Sequence, residues 1–147
     1  MADTPREEFA DVFWARHSNP WSGWSRLLLT PGLLYAVYRR NWRFLALVVA
    51  FAVVNPVLFP PPDDRDAWMT RVVLAERWWT ETGHGTLGSS YPNVCNSLNL
   101  PVFAYALLAA WRRQPARAAL AGTLSTALKL WFVAALVRRH ERQTAVP

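Results

Sequence analysis

Twenty consecutive residues, Ala118 to Val137, contain a single charged side chain, Lys129. As a helix, such a segment is about 30 Å long, the thickness of a bilayer's hydrocarbon core. Phe44 to Phe59 has Asn55 as its one polar side chain, and Leu98 to Trp111 carries only Asn99 and the amphipathic Tyr105. A soluble helical bundle needs a polar face on every helix. Here only the last run shows one, a narrow stripe of Thr123, Ser125, Thr126 and Lys129. Helices that are apolar all round sit in a large protein core or in lipid, and 147 residues cannot bury three of them. The sequence therefore predicts an all-α integral membrane helical bundle.

Charge placement agrees. Lysine occurs once, so 15 of the 16 basic residues are arginine, and the net charge is +6. The arginines gather at the ends of apolar runs, at 39, 40 and 43, at 112, 113 and 117, and at 138, 139 and 142. That is the pattern of membrane-flanking charge, not of a basic face interleaved with aromatics, so nucleic acid is not an expected partner. Trp24, Trp42 and Trp111 stand at run ends, where indoles favour the headgroup region. The near-zero mean hydropathy, +0.04, reflects the polar stretches 1–26, 60–97 and 138–147.

The expected layout is one membrane domain over 1–147, with three or four transmembrane helices in two hairpins. A polar N-terminal segment, 1–23, lacks the basic and apolar regions of a secretory signal; within it Glu7 to Arg16 reads as a short surface helix, and Ser22 as the cap of the helix after it. Membrane helices are expected at 24–39 (interrupted by Pro31-Gly32), 42–59, 98–111 and 117–138. Pro101 is placed in a first turn, and the tail after 138 is read as frayed. Residues 64–81 read as an amphipathic interfacial helix capped by Asp63 or Asp64, with Trp68, Val72, Ala75 and Trp79 on one face. Docking of that face on protein is an open alternative. Residues 82–97 read as a loop. Arginine counts on the two sides do not fix orientation, but short loops weigh most, which favours the basic turns on the cytoplasmic side.

No motif for a nucleophile, a nucleotide or a metal is present, so no catalytic residue, metal site or cofactor is expected. Cys95 reads as a packed thiol. A lone ammonium in lipid costs about 2.5–3.5 kcal/mol, so Lys129 calls for a partner. The expectation is an interior polar cluster of Lys129 with Glu76, joined by Asn55, Arg71, His17 and Asn19. The alternatives are that Lys129 snorkels towards the helix end or lines a substrate or ion site. Gly122, Ser125 and Thr126 share the Lys129 face and read as a helix-packing surface. The HSNPWS turn, with Arg16 and Arg26, could receive a phosphate headgroup; its plainer reading is a capping turn. The leading functional expectation is a non-catalytic membrane protein that packs with lipid, with a partner membrane protein or as a homo-oligomer. The alternatives are a membrane enzyme on a lipid substrate and a small oligomeric transporter.

The segments RHSNPWSGWSR, NPVLFPPPDD, W..R.VL.ER.W and LKLWFV together resemble an uncharacterised family of small multi-pass membrane proteins of archaea and high-GC bacteria, a domain of unknown function. The resemblance covers most of residues 14–133 and implies a membrane location without an activity. The family pattern has an acidic–basic pair directly after the LKLWFV-like segment. Ala134-Ala135 stands there in this chain, which counts against a partner for Lys129.

Overall fold

A computed structural model describes residues 5–145, with side chains from residue 8 onward; the first four residues of the polar segment 1–23 lie outside it. The described chain is all α-helical, in seven helices: α1 (Pro5–His17), α2 (Pro20–Arg26), α3 (Leu29–Arg39), α4 (Trp42–Leu58), α5 (Trp68–Glu81), α6 (Asn93–Trp111) and α7 (Pro115–Thr144). Two of them, α6 and α7, are long and apolar enough to cross a membrane, and α4 is a shorter apolar helix of 17 residues.

Several boundaries differ from expectation for identifiable reasons. The 24–39 run is two helices, broken at Leu27–Leu28. Pro31 lacks the N–H that would bond the Leu27 carbonyl, and its ring crowds that carbonyl, so the helix restarts with Pro31 in its first turn. Asn19, not Ser22, caps α2: its Oδ1 accepts from the Trp21 N–H at 2.9 Å, while Ser22 lies inside the helix and is buried. The 64–81 helix starts only at Trp68, because Asp64 instead closes an Asx-turn on the Asp66 N–H. Helix α6 begins at Asn93, inside the expected 82–97 loop, and Pro101 falls in its interior. The early start is held by side chains that bond the glycine-rich loop: Asn93 Nδ2 donates to Gly85 O, Asn96 Nδ2 to Thr86 O, and Ser97 Oγ to Gly88 O. The tail is not frayed up to Thr144: Arg71 Nη1 bonds Glu141 Oε1 at 2.8 Å, and Trp78 packs on His140.

Helices α6 and α7 form the most extensive helix pair, and α3 lies against both and against α4. The two hairpin turns lie at the same end, where Trp42 contacts Trp111, Arg40 stacks over Trp111 and Arg113 over Tyr38. At the other end α1, α2 and α5 gather around the end of α4 and the second half of α7. There are two buried cores. One joins Leu34 of α3 to Ala106, Ala109, Ala110, Ala118 and Ala121 of α6 and α7. The other joins Met69, Val72, Ala75 and Trp79 of α5 to Phe132, Val133, Leu136 and Val137 of α7. The apolar face of α5 is therefore covered by protein, with Trp68 partly buried at its edge.

Candidate functional site

Arg16 and side chains of the HSNPWS segment that follows it close the end of α4. A helix leaves its last carbonyls unpaired, and α4 ends at Leu58 before Pro60-Pro61-Pro62. Arg16 Nε donates to Val57 O at 2.8 Å, Asn19 Nδ2 to Pro60 O at 2.9 Å, and Ser22 Oγ lies 3.3 Å from Asn55 O. Arg16 also puts a cation at the negative end of the α4 dipole.

Beneath these caps lies a directed hydrogen-bond chain. Arg26 Nη1 donates to His17 Nε2 at 2.8 Å. Arginine is only a donor, so Nε2 must accept and the imidazole proton sits on Nδ1. Nδ1 faces Ser22 Oγ at 3.4 Å, Ser22 Oγ donates to Asn55 Oδ1 at 2.8 Å, and Asn55 Nδ2 donates to Ser25 Oγ at 2.9 Å. His17, Ser22 and Asn55 are buried. Burial, and then the Arg26 charge, lower the His17 pKa from 6.5 to about 4, so the ring is neutral at ordinary pH.

Arg26 also lines a cleft of about 280 Å³ bounded by α2, α3, α5, α6 and α7. Glu76 and Lys129 share that cleft, with Nζ 3.4 Å from Oε1. Lys129 lies over the Phe132 ring, and Ser125 Oγ donates to Asn99 Oδ1 on the same wall. Gly23 and Gly122 allow the helices this close: a Cβ at Gly23 would lie 2.8 Å from Met69 Sδ, and one at Gly122 only 2.5 Å from Leu34 Cδ1. The small-residue face of α7 is thus occupied within the chain, with Gly122 against α3 and Ser125 against α6.

The residues expected in one cluster fall into separate groups. Glu76 meets Lys129. Asn55 and His17 join the α4 network, and Asn19 caps it. Arg71 pairs with Glu141 at the surface. No hydrogen bond links His17 to Glu76 among the described residues, and no group of three potential metal ligands comes together there. Arg26 is the residue that connects the network to the cleft; in the sequence it stood only beside Arg16 as a headgroup contact. Ser25, Asn99 and the Val57 and Pro60 carbonyls went unassigned. The only signal for the two carbonyls was that HSNPWS is rich in capping residues and NPVLFPPP in prolines, whereas Asn99 stood out as one of two polar side chains in its apolar run.

A family of unknown function (DUF6653) matches residues 8–141. No curated protein and no solved structure matches the chain.

Proposed function

The chain belongs to that family of unknown function, and from this premise we propose that it is a multi-pass integral protein of the cell membrane with a non-catalytic, lipid- or partner-interacting role. Helices α4, α6 and α7 cross the bilayer, and the broken α2–α3 segment enters from the side that holds α5. The basic turns face the cytoplasm, by the weight of short loops.

The observation that carries this reading is the inside-out character of α4. From Phe44 onward its one polar side chain, Asn55, is also its only fully buried one, while Leu47, Val53 and Leu58 are exposed, Val53 by 73%. Leu100 and Leu108 on α6, and Leu120 and Leu124 on α7, extend the exposed apolar surface. Soluble monomers rarely leave such contiguous surface bare, whereas hydrocarbon solvates it at no cost. The Asn55 side of α4 is where polar groups must find partners inside the protein, and the hydrogen-bond chain from Arg26 supplies them.

The test is fractionation of cells expressing the full chain, then alkaline carbonate extraction. Retention in the membrane pellet, with release only by detergent, is the expected result. A compact, monodisperse chain in detergent-free buffer overturns the proposal.

A further inference from the structure

The cleft that holds Arg26, Glu76 and Lys129 does not end at its polar wall. Leu27, Thr30 and Thr126 line it and also line a second, larger groove of about 840 Å³ between α3 and α7. That groove passes Leu34 and Ala119 and reaches Arg39, a run of about 14 Å along α3 from Thr30. A cleft that holds three charged side chains thus opens past two threonines into a long apolar groove, the form of a site for an amphiphile.

The charges select the headgroup. Two cations and one carboxylate leave the cleft with a surplus positive charge. Arg26 bonds His17 through Nη1, and its other guanidinium hydrogens have no protein partner among the described residues. His17 holds that guanidinium while remaining neutral, so it orients Arg26 without adding charge. Lys129 makes one hydrogen bond, to Glu76 at 3.4 Å, the long end of the range, which leaves donors for a second acceptor. A guanidinium fork beside an ammonium is suited to a phosphate monoanion.

We propose that the cleft and groove together bind one anionic phospholipid, its headgroup phosphate between Arg26 and Lys129 and one acyl chain along the α3–α7 groove. The inference rests on the membrane reading, since only a chain in the bilayer meets such a ligand from the groove's open side.

The test uses the full chain in nanodiscs of phosphatidylcholine doped with phosphatidylglycerol, with lipids retained after detergent exchange identified by native mass spectrometry. Phosphatidylglycerol is expected to be enriched over phosphatidylcholine. Lys129→Met should lower its retention about tenfold, as expected for losing one charge-assisted contact. Glu76→Gln should raise it, because a competing carboxylate is removed. A purely structural Lys129–Glu76 pair predicts instead that both changes weaken binding, and that result overturns the proposal. Ala119→Trp, which fills the groove away from the polar network, should abolish retention of long-chain lipid. Equal displacement by soluble glycerol phosphate, with no effect of Ala119→Trp, would identify a free anion as the ligand and overturn the lipid assignment. Headgroup-blind retention by a carbonate-resistant protein defeats the lipid site alone; loss of the unaltered chain from the membrane pellet defeats the membrane reading with it.

Discussion

The two cores of this molecule are built from different residues. Between α3, α6 and the first half of α7 the buried side chains are five alanines and one leucine, with Gly122 against that leucine. Between α5 and the second half of α7 they include methionine, tryptophan, phenylalanine and leucine. The same helix, α7, contributes to both, so helix propensity does not explain the change. The solvent does. In hydrocarbon a large apolar side chain gains little by leaving lipid for protein, and helices associate through close backbone approach and dispersion, which favours small residues. Where water is the alternative, each large side chain contributes about 1.5–3 kcal/mol on burial. The change in residue size along α7 falls near Lys129, between Ser125 and Phe132, where the cleft is found.

The sharpest way to break the comparison is to empty the large-residue core. Phe132 is fully buried against α5. Phe132→Ala is expected to cost about 3–5 kcal/mol, as in water-driven cores, measured by reversible unfolding in mild detergent. A loss below ~1 kcal/mol would mean that α5 is not held by large-residue burial, and the contrast between the two ends would fail.

His17 belongs to the network that closes the end of α4, outside both cores, and its titration adds a third region to the comparison. Its pKa is about 4 in the folded protein and 6.5 ordinarily. The native state therefore binds fewer protons than the unfolded one between those values. Above pH 6.5 the two states are alike and the full stability is present; as pH falls from 6.5 towards 4 stability is lost, on the order of 3 kcal/mol in all. Unfolding midpoints measured across that window should fall for the unaltered chain and stay nearly level for His17→Gln. An equal slope in the two would place the acid sensitivity in the carboxylates instead.

The apolar runs of α4, α6 and α7 were legible because their feature is composition, which no tertiary contact can conceal. The pairing of Lys129 with Glu76 was legible because acids are absent from the apolar runs, and the two atoms do meet at 3.4 Å. What could not be read was long-range. Asn93, Asn96 and Ser97 look like loop residues, because such side chains commonly bond their own backbone; here they bond a neighbouring loop and so leave their helix intact. The joining of Arg16 and HSNPWS to the end of α4 depends on residues 33 to 41 positions apart. Neither segment alone indicates that its polar groups are meant for the other.

The small-residue core can be broken in the opposite direction, by addition rather than removal. A Cβ on Gly122 would lie 2.5 Å from Leu34 Cδ1, inside van der Waals contact, although that atom is the end of a flexible side chain and has some room to turn. Gly122→Ala is therefore expected to destabilise the protein by about 1–3 kcal/mol in detergent unfolding, the usual cost of overpacking, less the small gain in helix propensity. Leu34→Ala added to it should restore part of the loss, because it removes the atom that the new methyl group strikes. The double-mutant cycle separates the two accounts of this interface. If close approach of α3 and α7 is what holds it, the coupling energy is large and its sign is one of rescue. If burial of Leu34 is what holds it, the two losses simply add, and the small-residue core is an ordinary hydrophobic one that happens to contain alanine.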